Sequence, residues 1–290
     1  STGNIAIGYF AMRDGAGGSS KDYNVAIGYA AMRNASPHIS IAIGANAGQL
    51  LKNGAVGAVH IGHEAGRYAS GSYNVSMGYG AGKGGTTSAP YTTGEQNVAI
   101  GTQALGYFTT AGQNVAIGHQ ASLGVTTGNA NVVIGRSSFS SATTTSNVVL
   151  VGDEAGKSIN STDADGTVAI GYQALTDLTT GGSNTALGYR AGLNLTTGGN
   201  NIAIGYDSFV NAVDACNSNI AIGSQAMITV DRGSHADATV NGNIAIGYNA
   251  LAGGDFVSAD KDLVGNIAIG KNALDATAAN AQTGTIAIGH

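Results

Sequence analysis

The sequence predicts an all-β protein, a parallel β-solenoid of about sixteen short coils. Three observations predict it. A five-residue phrase, Asn-(Ile/Val)-Ala-Ile-Gly, returns sixteen times when the chain is aligned on its glycine: Gly8, Gly28, Gly44, Gly62, Gly78, Gly101, Gly118, Gly135, Gly152, Gly171, Gly188, Gly205, Gly223, Gly247, Gly270 and Gly289. Successive glycines lie no closer than 16 residues apart and no farther than 24. The chain is also poor in charge, 10 %, and rich in glycine, 47 of 290 residues. One fixed unit with connectors of variable length is how a solenoid reads in sequence. A unit this short cannot hold a helical pair, but it suits two short strands and two bends.

The phrase itself reads as the strand. Large, mostly β-branched residues stand three and one places before the glycine: Ile5 and Ile7, Val25 and Ile27, Val98 and Ile100. Small residues stand two places before it and at the glycine, as in Ala6 and Gly8 or Ala26 and Gly28. Strand side chains alternate between faces. One face is therefore aliphatic, carrying Ile7, Ile27, Ile100, Ile117, Ile204, Ile246 and Ile269. The other is nearly bare, ending on Gly8, Gly28, Gly101, Gly118, Gly205, Gly247 and Gly270. The bare face lets two backbone layers approach closely. The aliphatic face must be buried, against either the coil's own second sheet or another chain.

The residue that opens the phrase is Asn in eleven of the sixteen copies, among them Asn4, Asn24, Asn97, Asn114, Asn201, Asn243 and Asn266. Asn suits a bend, because it tolerates the left-handed conformation and bonds its own backbone. Stacked at one place in each coil, it also predicts an amide ladder. After the glycine comes Tyr in seven copies, then Ala or Ser two places on. The tyrosines predict a stacked row that stiffens the shaft; a sugar-binding aromatic strip is the sharper alternative. Thr-Thr-Gly recurs in the connectors, at Thr92–Gly94, Thr126–Gly128, Thr179–Gly181 and Thr196–Gly198. It supplies a half-exposed strand and the bend back to the next Asn.

No shift of composition marks a boundary, so residues 1–290 read as a single elongated repeat domain. Sixteen coils at roughly 4.8 Å strand spacing predict a shaft of about 70–80 Å. Ser1 begins inside the repeat and His290 follows the last motif glycine, which predicts a fragment of a longer fibre protein. Net charge is −5 with no basic stripe, which argues against nucleic acid as a partner. No apolar run reaches transmembrane length, so membrane insertion is not expected. The lone Cys216 rules out an internal disulfide framework.

Asn24–Gly28, NVAIG followed by Ala31, resembles the head repeat of trimeric autotransporter adhesins. Asn184–Gly205, NTALGYRAGLNLTTGGNNIAIG, and Thr167–Leu175, TVAIGYQAL, are similar to repeats of phage tail-fibre and related proteins. The resemblance covers essentially the whole chain. It implies left-handed β-rolls whose three chains pack their aliphatic faces on one axis. It further implies a structural or adhesive segment of a virion tail fibre or spike, extracellular, that attaches to a host surface. The alternative it carries is the head of a bacterial surface adhesin. The expected partners are the chain itself, as a homotrimer, and a host cell-surface glycan or protein. Two copies depart from the pattern: Ala58–Gly62 has His60 in the Ala position, and Asn147–Gly152 is one residue longer. Both coils are expected to be locally distorted, by a bulge for instance.

Catalytic groups do not assemble in the sequence, and no enzyme activity, cofactor or metal is expected. His60 and His63 form the one close histidine pair, at a spacing that is not a ligand spacing. Asp163-Ala-Asp165-Gly166 lacks the full calcium-loop spacing. Asp153 and Glu154 are strand neighbours that point to opposite faces, which defeats paired-carboxylate chemistry. Gly253–Phe256 reads as a loop. Two further readings are a polysaccharide-degrading tailspike, which needs clustered carboxylates in a groove, and an ice-binding solenoid, which needs flat Thr-x-Thr rows. Recognition is expected on the longest connectors, with Tyr91 and Phe256 as ligand-contacting aromatics.

Overall fold

The structure is a computed structural model that describes residues 2–14, 22–51, 55–85, 92–211, 216–228, 239–252, 262–275 and 282–289. It falls into two compact units, Ser1–Asn147 and Val148–His290. The chain is all-β, and each unit is a parallel β-solenoid. Among the described residues the one helical element is a 3-10 turn at Thr162–Ala164, capped by the Ser161 side chain.

In the first unit each copy of the phrase is a three-residue strand: β1 (Ile5–Ile7), β2 (Val25–Ile27), β3 (Ile41–Ile43), β4 (Val59–Ile61), β5 (Val75–Met77), β6 (Val98–Ile100), β7 (Val115–Ile117) and β8 (Val132–Ile134). Each pairs with the next, parallel and in register, so Ala99 lies against Ala116 and Ile100 against Ile117. The second unit repeats this with β9 (Val149–Val151), β10 (Val168–Ile170), β11 (Thr185–Leu187), β12 (Ile202–Ile204) and β13 (Ile220–Ile222). It continues through β15 (Ile244–Ile246), β17 (Ile267–Ile269) and β19 (Ile286–Ile288). A second, shorter parallel sheet joins β14 (Val240–Asn241), β16 (Leu263–Val264) and β18 (Gln282–Thr283).

Among the described residues, the second strand expected in every coil is thus regular only there. In the first unit it shrinks to the bridges His38↔Val56 and Ala69↔Thr92. The backbone after each glycine turns rather than extends, in both units alike. The second and fourth residues on both take positive φ, as at Gln103 (56°) and Leu105 (48°), or Gln120 (57°) and Ser122 (53°). That zigzag cannot extend into a strand, yet it keeps the amides aimed at the coils on either side. Leu105 N donates to Ala121 O at 2.9 Å, and Gln120 N donates to Thr102 O at 2.9 Å.

The motif glycine is fixed by two constraints at once. Gly101 sits at φ 126°, and a Cβ on it would stand 2.5 Å from the carbonyl oxygen of Gly118. Neither the angle nor the distance admits an L side chain.

Of the two strand faces, the small one points inward. Ala26, Ala42, Ala99, Ala116, Ala169 and Ala221 are buried to 1 % exposure or less. Larger apolar groups from the bends fill the space opposite, including Leu105, Phe108, Phe139, Leu175, Phe209 and Met227. A narrow coil has room for one layer of large side chains, so alanine on the strand and leucine or phenylalanine on the bend divide the volume.

Neither departure from the repeat distorts its coil. β9 stays in register with β10, and Val148 takes the buried place that Asn holds elsewhere. Asn147 moves one place back, to the positive-φ position that Gln96 and Gln113 occupy in their own coils. His60 pairs in register with Ala42 and Ser76. Its ring occupies space that Gly66 vacates, since a Cβ at Gly66 would stand 2.1 Å from His60 Nδ1.

Candidate functional site

The most distinctive surface is the outer face of the strands. Ile7 is 58 % exposed, and Ile41, Ile43, Met77 and Ile134 are also exposed in the first unit. Leu187, Ile246, Ile269, Ile286 and Ile288 are exposed in the second. Ile27, Ile100, Ile117 and Ile204 are half-buried, shielded at their flanks by the same residue of the coils before and after. In-register pairing makes two straight aliphatic rows, Val98–Val115–Val132 and Ile100–Ile117–Ile134. Of the two covers open to this face, the coil's own second sheet is not the one used, because the interior is closed by alanines.

The motif asparagines lie inside and form the expected ladder. Asn97 N and Nδ2 both donate to Asn74 Oδ1, at 2.9 and 3.1 Å. Asn114 repeats this on Asn97 Oδ1, at 3.0 and 3.1 Å. Each Nδ2 also donates to a connector carbonyl, Ala111 O for Asn97 and Gly128 O for Asn114. In the second unit Asn201, Asn219, Asn243 and Asn266 continue the same pattern within their own run. Asn24 bonds back to Asn4 Oδ1. The left-handed residue of the bend is the one before the Asn, such as Tyr23, Gln96 or Gln113. These asparagines therefore hold coils together and take no part in an exposed site.

The tyrosines stack. Tyr172–Tyr189 and Tyr189–Tyr206 have ring centroids 5.1 and 5.3 Å apart, and Tyr9–Tyr29 are 6.1 Å apart. Their faces cover one another, so edges and hydroxyls face solvent, which suits a stiffening row and leaves few faces open to a sugar.

The sequence-level chemical candidates do not converge. His60 points into the coil and is fully buried, and burial pushes its pKa down to about 4. His63 points out and stacks on Tyr79 at 5.4 Å. Glu154 spends its carboxylate on Lys157 at 3.0 Å and Gln173 at 2.9 Å. Asp163 lies in the short turn that Ser161 caps, its backbone N–H donating to Ser161 Oγ at 3.2 Å. Among the described residues no three His, Cys, Asp or Glu side chains gather as a metal site would require. Tyr91 and Phe256 lie outside the described residues.

A surface notch of about 60 Å³ opens on the bends of the first unit, between Glu64, Lys83 and Gln103, with Tyr79 and Tyr107 at its rim. Lys83 Nζ lies 2.7 Å from Glu64 Oε2, and Arg67 bonds the other oxygen. Burial pushes the Glu64 carboxyl up, but the hydrogen bond and charge of Lys83, with Arg67, outweigh it and hold the group below its usual value. The signal was present in the sequence: Gly80 is the one glycine in the second place after the motif glycine, and Gly106 the one in the fifth.

Compared with known proteins, the chain matches no family model and no curated protein at a significant level.

Proposed function

We propose that this chain is a segment of a homotrimeric surface fibre, of the phage tail-fibre or spike kind, that serves host attachment. The observation that carries this reading is the outward-facing pair of aliphatic rows, half-buried to exposed, on coils whose interiors are already closed. Contiguous apolar surface of this kind marks an interaction site on a soluble protein. An identical row on a second and third copy is its natural complement, because every coil presents the same spacing along the ladder. The resemblance of NVAIG to the head repeats of trimeric adhesins suggests the threefold arrangement, and that of TVAIGYQAL to tail-fibre repeats suggests the viral setting. Repetition also suits attachment, since many weak contacts presented in parallel reach high avidity.

The test is molecular mass in solution by light scattering, on the wild type and on Ile100→Asp with Ile117→Asp. The wild type is expected near three times 28.5 kDa. The double variant is expected to dissociate, because a buried unpaired carboxylate at such a seam costs several kcal/mol, about 3–5 per site. A stable monomeric wild type, or a double variant that stays trimeric, would remove the aliphatic rows from the interface.

A further inference from the structure

We infer that the notch at Gly80 is a binding site for a neutral pyranose unit of a glycan, and the inference deepens the attachment reading above. The repeat itself shows what is missing there. Neighbouring coils carry Glu64 and Gln103 in the place that Gly80 leaves empty. A Cβ added at Gly80 would meet only Gln103 Cγ, at 3.8 Å, so the space is open.

The groups around this gap are those that recognise vicinal hydroxyls. The Glu64 carboxylate accepts from Lys83 and Arg67, and its two oxygens keep further lone pairs for hydroxyl donors. The Lys83 ammonium has donors beyond the one given to Glu64. Gln103 Oε1 accepts from Gln120 Nε2 at 3.1 Å, which orients its amide. Tyr79 supplies an apolar face. One side of its ring is covered by His63. The next coil has Thr102 in the tyrosine place, and among the described residues no ring lies on the other side. A pyranose presents both parts of this surface with its C–H face and its hydroxyl edge. A volume of about 60 Å³ takes one edge of a sugar ring, equal to about two waters. The rest of the ring, and any chain it belongs to, lies outside the notch.

The test uses the repeat's own residues as blocking groups. Gly80 has φ 61°, and glutamines in the same place elsewhere have nearly the same angle, as at Gln103 (56°) and Gln120 (57°). Gly80→Gln therefore fills the notch without altering the coil. Thr102→Tyr extends the aromatic stack over the open face of Tyr79. Saturation-transfer NMR is run with methyl α-glucopyranoside, methyl α-galactopyranoside and methyl α-mannopyranoside as probes. The wild type is expected to bind at least one of them with millimolar affinity. Each variant should weaken that binding about tenfold or more while melting as the wild type does. Absence of binding by the wild type to all three at up to about 50 mM overturns the site. Undiminished binding by Gly80→Gln does the same. The notch lies on a bend and the aliphatic rows lie on the strands, so the two readings fail separately. A trimer that binds no sugar sinks the site alone, and a sugar-binding monomer sinks the fibre reading alone.

Discussion

Within the first unit, residues 40–51 with 55–85 and residues 98–142 build the same coil from different materials. The earlier stretch has glycine on the second bend, at Gly48, Gly66 and Gly82, and places Ala42, His60 and Ser76 on the inner face. The later stretch has Leu105, Ser122 and Phe139 on that bend and Ala99, Ala116 and Val133 on the inner face. The backbone does not register the change. Gly66 N reaches Ala81 O at 2.9 Å, and Leu105 N reaches Ala121 O at 2.9 Å. A leucine in the left-handed conformation costs about 1–2 kcal/mol. Burying its side chain returns about 1.5–3 kcal/mol. The exchange is close to neutral, so the bend accepts either residue. The ladder of backbone hydrogen bonds therefore sets the coil, and the side chains share whatever volume it leaves.

The largest expected effect attacks the ladder where it has no freedom. Gly118→Ala places a Cβ 2.5 Å from Gly135 O, at a φ of 135°. Both atoms are backbone and cannot turn away. The expected loss exceeds about 4 kcal/mol, which puts it among exceptional single substitutions. Gly48→Ala is the contrast. Its Cβ meets the flexible end of Leu51 at 2.9 Å and a φ of 53° that leucines tolerate on the same bend. It should cost about 1–2 kcal/mol. Denaturant unfolding of both variants decides the matter, and similar losses would mean that the stacked glycines are not the constraint.

A smaller effect separates the two stretches by their polar interior. Asn114 is buried and makes two bonds to Asn97, one to Gly128 O, and accepts the amide of Asn131. Asn114→Ala leaves buried partners unsatisfied and should cost about 3–4 kcal/mol. Ser40 holds the corresponding place in the earlier stretch. Its hydroxyl reaches only His38 O and the amide of Ala58, both at 3.2 Å. Ser40→Ala should cost about 1 kcal/mol. Thermal unfolding monitored by circular dichroism ranks them, and equal losses would show that the amide ladder adds nothing beyond a filled slot.

Much of this was legible in the sequence because stacking repeats every constraint. The phrase gives the strand, its glycine gives the contact between coils, and its asparagine gives the ladder. The direction of the faces was not legible. Alternation says that Ala99 and Ile100 point opposite ways, but not which one points in. The answer follows from volume: Leu105 and Phe108 already fill the interior opposite Ala99, which leaves no room for isoleucine on the inner face of the strand. The left-handed bend residues were hidden for a different reason. Leu105, Phe139 and Met227 carry none of the glycine or asparagine signature of that conformation, because hydrogen bonds and burial impose it. The notch was hidden because it is an absence, visible only when Gly80 is compared with the same place in the other coils.

The last prediction turns on His60, the residue expected to distort its coil. Both ring nitrogens are buried without a hydrogen-bond partner. The interior around it holds Ala42, Gly48, Gly66 and Ser76 and offers no counter-charge. Burial lowers the folded-state pKa from 6.5 to about 4. Above the unfolded value the neutral ring suits the folded interior, and its stability is fully present there. As pH falls from 6.5 towards 4 the unfolded chain takes up the proton and the folded chain does not, so stability declines through that window. The full loss is about 3 kcal/mol, most of it incurred by pH 4.5. His60→Ala removes the titration and leaves a void beside Gly66, so the variant should be weaker at pH 7 and depend less on pH between 6.5 and 4. The difference between the two stability–pH curves isolates this group from the chain's carboxylates. Parallel curves would mean that the ring opens to water, and that the coil around residues 58–66 is looser than the one around 97–105.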